Sequence, residues 1–254
     1  MSNAPAAVPA AALDDVAARL RASRRTTVLT GAGISAASGV PTFRGAGGLW
    51  GTYRAEDLAT PEAFARDPRL VWSWYDARRQ NLLDCRPNAG HAVLASWASR
   101  LPGFTLLTQN VDGLHERAGT TGAVRLHGSI WHVRCVRGCS PPREERRAPL
   151  PEIPPRCACG ALLRPDVVWF GEMLDPGVLR RADAATACDV FVTAGTSSIV
   201  HPAAGLVAEA RARGAFTIEI NPEETGASAY VDRCLRGPAE TVLPELDSRL
   251  IMAR

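Results

Sequence analysis

What most narrows the choice of fold is the way the apolar runs end. Thr26-Thr27-Val28-Leu29-Thr30 is a short β-branched run, read as a buried strand, and it stops on Gly31-Ala32-Gly33-Ile34-Ser35-Ala36. The run at 104–107 passes into Thr108-Gln109-Asn110-Val111-Asp112-Gly113, and that at 124–126 into His127-Gly128. The run at 190–193 is followed by Gly195-Thr196-Ser197-Ser198, and 216–220 by Asn221-Pro222-Glu223. Alanine-rich helical stretches such as 202–212 lie between several of them. Strands alternating with helices predict the α/β class, with a doubly wound, Rossmann-like parallel sheet. Taken singly, Asn, Asp and Gly after a strand build ordinary turns. Such sheets place their sites at the carboxyl ends of the strands, so these endings together predict one polar crevice.

Residues 13–21 (LDDVAARLR) have apolar residues at helical spacing, with Asp14 and Asp15 expected in the first turn. A further strand-like run is 167–170. Two stretches break the alternation. Residues 45–86 contain Trp50, Trp72 and Trp74 and look helical, while 130–165 hold clustered cysteines, many prolines and the charge run REERR (143–147). The expected organisation is a disordered tail at 1–12 and a large domain from 13–44, 87–129 and 166–254. Residues 45–86 and 130–165 would together form one small helical and zinc-binding domain.

Composition removes several chemistries. The chain has 29 Lys+Arg against 26 Asp+Glu, a net charge of +3, and all 29 cations are arginine. Without lysine there is no Schiff base on the chain, no P-loop lysine and no lysine general base. A charge of +3 is too small to imply a nucleic-acid or membrane partner. No apolar stretch approaches the roughly 20 residues of a membrane span, and residues 1–12 do not look like a signal peptide. Seven cysteines, four of them clustered, point to a reducing, cytoplasmic setting and a metal site rather than disulfides. Cys135 and Cys139 are separated by 17 residues from Cys157 and Cys159, matching a structural, tetrahedral four-thiolate zinc site. The inner spacings, three residues and then one, depart from the usual two, and four unliganded thiols is the other reading. Cys85, Cys188 and Cys234 read as small buried apolar residues.

The glycine loop at 31–36 follows its strand directly and suits close backbone approach to a pyrophosphate. A dehydrogenase would next need a second strand and an acidic residue about 20 positions on. Glu56 and Asp57 lie near that distance but follow no strand. Chemistry on the nucleotide itself fits better than hydride transfer.

At this point the chain resembles the sirtuin family of NAD-dependent protein-lysine deacylases. The matching segments are GAGIS (31–35), SGVPTFRG (38–45), TQNVDGLH (108–115), HG (127–128), PDVVWFGE (165–172), GTS (195–197) and NPE (221–223), in family order. The resemblance implies that NAD, consumed as co-substrate, contacts Gly31, Ala32, Gly33, Ile34, Ser35, Thr42, Phe43, Arg44, Trp50, Gln109, Asn110 and Asp112. Gly195, Thr196, Ser197, Asn221, Pro222, Glu223 and Ala239 would line its adenosine half. His127 would be the general base, with Asn110 also catalytic, and the products would be free lysine, nicotinamide and O-acyl-ADP-ribose. Val168, Trp169, Phe170 and Gly171 would pair with the substrate backbone as an added strand.

Tyr75 and Arg78, three apart on a predicted helix, match the Tyr-x-x-Arg pair of the sirtuin class that removes succinyl, malonyl and glutaryl groups. A guanidinium grips a carboxylate bidentately and tyrosine adds one donor. Ala59 matches a small family residue that leaves room for a longer acyl chain. Deacetylation is expected as a secondary activity, since an acetyl group offers Arg78 no carboxylate. A monomer acting on acyl-lysine proteins or peptides, with one structural zinc, is the expectation. Preferential deacetylation, ADP-ribosyl transfer on the same fold and a zinc-ribbon binding module are the alternatives.

Overall fold

Neighbouring residues of the apolar runs are buried together: Val28 with Leu29, Leu106 with Leu107, Phe191 with Val192. Side chains alternate across a strand, so such pairs need cover on both faces of the sheet. The computed structural model, which describes residues 8–41 and 55–252, shows that cover. The strands are β1 Thr26–Thr30, β2 Thr105–Thr108, β3 Val124–Arg125, β4 Gly128–Cys135, β5 Arg143–Glu144, β6 Leu163–Val167, β7 Val190–Ala194, β8 Phe216–Asn221 and β9 Arg233–Arg236. One parallel sheet has the order β3-β2-β1-β7-β8-β9. Its six strands, numbered among themselves, run 3-2-1-4-5-6, the doubly wound order with its reversal between β1 and β7.

Val28, Leu106, Val192 and Ile218 face the helices Ala10–Ala22, Ala89–Arg100 and Ala239–Met252. Leu29, Leu107 and Phe191 meet Ala182, Val207 and Ala210 from the helices Pro176–Ala185 and Leu206–Ala212 on the other face. Burying each large side chain contributes about 1.5–3 kcal/mol.

A second core joins two separated segments. Phe64, Trp72, Trp74 and Tyr75, from the helices Pro61–Arg66 and Pro68–Asp84, pack with Ile130, Trp131, Leu163 and Trp169. The last four lie in or beside a small antiparallel sheet of order β5-β4-β6. Polar groups stitch the helices to that sheet. Trp72 Nε1 donates to the Leu163 carbonyl (2.7 Å), and fully buried Arg79 donates to the carbonyls of Ile130 (2.8 Å) and Glu145 (2.6 Å).

Several expectations change. Residues 10–12, read as part of a disordered tail, are helical; Pro9 has φ −57° and is followed by three alanines, the best helix formers. The helix therefore begins earlier than expected, and its first turn holds no acid. Only Val167 of the run 167–170 is in a strand, and that strand belongs to the small sheet. The run leaves the sheet because Trp169 turns into the second core and the Glu172 carboxylate takes its amide (2.8 Å). The small sheet spans 128–167, two residues beyond each limit of the 130–165 segment. Among the described residues no helix is long and apolar enough to cross a membrane.

Candidate active site

The glycine loop lies where the strand order reverses. The Gly31 amide donates to the Ala194 carbonyl (3.1 Å) and that of Gly33 to Gly195 (2.8 Å). Contact is backbone on backbone: a Cβ on Gly31 would stand 2.8 Å from Thr196 Cα, and one on Gly33 2.8 Å from Gly195 Cα. Gly195 has φ +62°, and a Cβ there would meet the Ile34 nitrogen at 2.4 Å. Only glycine fits these three positions. The ends of β1 and β7 thus close into one floor, from which Ala32–Ser38 rises as a 3-10 helix with Ile34 and Ser35 buried.

The polar residues ending β2 converge on that helix. Ser35 Oγ donates to Asp112 Oδ2 (2.8 Å) and accepts from Asn110 Nδ2 (3.1 Å), and it lies 3.3 Å from His91 Nε2. Asp112 Oδ1 accepts the Leu114 amide (2.8 Å). Burial pushes the Asp112 carboxyl above its ordinary value, and these hydrogen bonds oppose the shift. Gln109 Nε2 donates to Thr196 Oγ1 (2.8 Å), and Asn221 Nδ2 to the Thr196 carbonyl (2.9 Å). Asn221 Oδ1 in turn accepts the Glu223 amide (3.3 Å). One polar web therefore spans the ends of β2, β7 and β8. Ala239 instead opens the last helix, buried in the main core, with its carbonyl near Gly90. Thr42, Phe43, Arg44 and Trp50 lie outside the described residues.

His127 sits between β3 and β4 with Nδ1 3.1 Å from the Gln109 carbonyl oxygen. A carbonyl can only accept, so the neutral ring carries its proton on Nδ1 and leaves Nε2 as a bare acceptor. Burial moves its pKa below 6.5, and the Gln109 bond acts the other way. At neutral pH the ring is a base ready to take a proton.

His91 and Asn88 lie outside every matched segment, and His115 ends the segment TQNVDGLH without a role assigned to it. Asn88 caps the helix Ala89–Arg100 in a box with His91, and its Nδ2 donates to the Ile34 carbonyl (2.7 Å) and Ser38 Oγ (3.0 Å). The Asn-x-x-His cap pattern was a usable local signal, but not for contact with residues 50 or more positions away. His115 Nε2 lies 2.9 Å from Thr30 Oγ1 and its ring centre 4.9 Å from that of His91. Burial pushes His91 down to about 4, and burial together with His91 pushes His115 to about 3. Both are neutral at physiological pH.

Arg78 shares a cavity with Val40 and with Ala32, Asn110 and Asp112, so one residue of the predicted acyl pocket and three predicted NAD contacts line one space. Its guanidinium stacks 4.6 Å from the Trp74 ring centre. Burial lowers its pKa, while Tyr75 and Asp112 raise it. Tyr75 is buried, and its hydroxyl accepts from Trp169 Nε1 (2.9 Å), leaving the phenolic proton to donate elsewhere. Trp169 is buried in the second core, whereas Phe170 is exposed. The amides of Val168, Trp169 and Phe170 go to the His127 carbonyl, the Glu172 carboxylate and the Ala59 carbonyl (3.0, 2.8 and 2.9 Å). An added peptide strand would therefore have to be held there by carbonyls.

The four clustered cysteines come together despite their irregular spacing. All four sulfurs lie within 4.8 Å of one another, with Cys135–Cys159 at 3.6 Å and Cys139–Cys157 at 3.4 Å. A tetrahedron with zinc–sulfur bonds of about 2.3 Å needs sulfurs about 3.8 Å apart. Gly138 (φ +63°) and Gly160 (φ +81°) make the tight turns that bring each pair round. The cluster fits one closed structural zinc ion, and it lies at the far end of β4 from His127.

The model of the Sir2 family matches residues 31–202. A protein of Aquifex aeolicus named NAD-dependent protein deacylase is 52% identical over 220 residues, which cover 86% of this chain and 92% of that one. The mitochondrial NAD-dependent protein deacylase sirtuin-5 of Canis lupus familiaris is 42% identical over 251 residues, covering 88% and 81%. A solved Sir2 homolog–NAD complex is 46% identical with a TM-score of 0.89, covering 94% of each chain.

Proposed function

The chain belongs to the Sir2 family, and from that premise we propose that it is an NAD-dependent protein-lysine deacylase preferring succinyl and malonyl groups to acetyl. NAD, consumed as co-substrate, would supply the ribose carbon to which the acyl group is transferred, with nicotinamide as the leaving group. His127 Nε2 takes the proton of a ribose hydroxyl, since Nδ1 is committed to the Gln109 carbonyl. Ser35, Asn110 and Asp112 hold the nicotinamide end, and Thr196, Ser197, Asn221 and Glu223 the adenosine end. The glycines let the ends of β1 and β7 close backbone to backbone into one floor, and the pyrophosphate would lie along that floor at the start of the 3-10 helix. Four cysteines hold zinc as a structural element. Acyl-lysine peptides are the partners, with 168–171 flanking them and Phe170 exposed at the edge. A net charge of +3 fits action without a nucleic-acid partner, and seven cysteines with four clustered fit a reducing, cytoplasmic setting; a monomer is part of the same proposal.

The acyl preference rests on one observation, the opening of Arg78 into the cavity of Asn110 and Asp112. In a partly desolvated cavity a guanidinium attracts a carboxylate more strongly than in water. Tyr75, one helical turn away, has its phenolic proton available, and Ala59 is a small buried residue beside Phe170. Turnover of matched succinyl- and acetyl-lysine peptides by wild type and Arg78→Met tests this. Wild type is expected to favour succinyl, and the variant to lose about a hundredfold on succinyl while acetyl changes little. Equal turnover of the two peptides by wild type would overturn the preference.

A further inference from the structure

Glu219 lies in β8, two residues before Asn221, and only 1% of it is exposed. A buried carboxylate is costly unless every oxygen is satisfied. Here Oε1 accepts from Thr225 Oγ1, and Oε2 from Ser228 Oγ (2.5 Å) and Arg236 Nη1 (2.6 Å). The donors do more than neutralise it. Ser228 Oγ also accepts the Thr225 amide (2.8 Å), and Thr225 Oγ1 the Ala227 amide (3.1 Å), so the turn at 225–228 is folded around the carboxylate. Arg236 Nη1 reaches on to the Glu223 carbonyl (3.0 Å). The turn then presses on the next loop, where a Cβ at Gly226 would stand 2.9 Å from the Ser198 carbonyl oxygen. A single buried side chain thus fixes both backbone segments, 197–198 and 223–228, that flank the adenosine end of the crevice.

We infer that Glu219 is a positioning residue that sets the affinity for NAD by locking these two segments, while touching neither NAD nor the acyl group. An apolar residue would fill this place on the sheet at lower desolvation cost but could not hold the turn. The inference rests on the NAD-dependent reading above. It locates the effect in nucleotide binding: loosening the turn removes contacts made equally before and during reaction, so KM for NAD rises and kcat stays.

Glu219→Gln keeps the shape and removes the charge, and Ser228→Ala removes one arm while leaving the ion pair. In the full-length protein, KM for NAD, KM for acyl peptide and kcat are measured for each, with calorimetric titration of ADP-ribose as a direct readout. Both variants are expected to raise KM for NAD and Kd for ADP-ribose about tenfold for Gln and about threefold for Ala. KM for peptide and kcat at saturating NAD should remain within twofold. Should Glu219→Gln fail to fold, Ser228→Ala carries the test. NAD affinities within twofold of wild type, or a fall in kcat with KM for NAD unchanged, would overturn the inference. If wild type itself shows no saturable use of NAD, the NAD-dependent reading fails instead.

Discussion

In the proposed reaction His127 acts through Nε2, the ring atom left free when Nδ1 bonds the Gln109 carbonyl. Because the Gln109 carbonyl fixes the proton on Nδ1, the tautomer with a basic Nε2 is the ground state and needs no rearrangement. Burial lowers its pKa, so the neutral form persists below pH 6.5. The sign follows: kcat/KM should be level through neutrality and fall only as acid protonates the ring, with a midpoint below 6.5. A pH profile of kcat/KM for an acyl peptide checks this, and an acid limb centred above pH 7 would contradict it. The placing of His127, Asn110 and Asp112 around one crevice was legible in the sequence because each follows a strand within a few residues. His91 was not, since its tie to Ser35 spans 56 positions and nothing local signals it. The same holds for buried Arg79 and Glu219, whose partners come from other elements.

Among elements, the four-cysteine cluster shows how spacing misleads and geometry corrects. Pairs separated by three residues and by one look mismatched in the sequence. Turns at Gly138 and Gly160, together with the pairing of Cys135 with Leu163, bring the sulfurs into a set that one zinc ion fits. A closed site of this kind supports structure rather than reaction. Metal analysis should give about one zinc per chain, and stripping it with a strong chelator should lower Tm by on the order of 10 °C. An unchanged Tm after proven zinc loss would contradict a structural role. The run 167–170 misled in the opposite sense. Its composition is that of a strand, but Trp169 is drawn into the second core and Glu172 takes its amide. β9 gave no apolar signal because, as an edge strand reading Arg-Cys-Leu-Arg, it buries little beyond Leu235.

At the scale of the whole molecule, the parallel sheet supplies the floor, and the helix that carries Tyr75 into the second core carries Arg78 into the cavity beside Asn110 and Asp112. The doubly wound order was legible because β-branched and alanine-rich runs alternate. The pairing of the small sheet was not, as it joins residues such as Val133 and Pro165 across a proline-rich loop. The absence of lysine acquires a meaning here. A lysine deacylase with 29 arginines and no lysine has no side chain of its own for that chemistry to modify, so the acyl-lysine arrives on another molecule. It also makes arginine alone poor evidence for recognition; Arg78 counts because of Tyr75, Asn110 and Asp112 around it. NAD-dependent deacylation through His127 is tested most directly by nicotinamide release from NAD, followed beside deacylation of a succinyl-lysine peptide by wild type and His127→Ala. Release is expected only with acyl peptide present, with one nicotinamide per acyl group removed, and both should fall in the variant by about a thousandfold or more. Deacylation without NAD, or full nicotinamide release coupled to deacylation by His127→Ala, would contradict it.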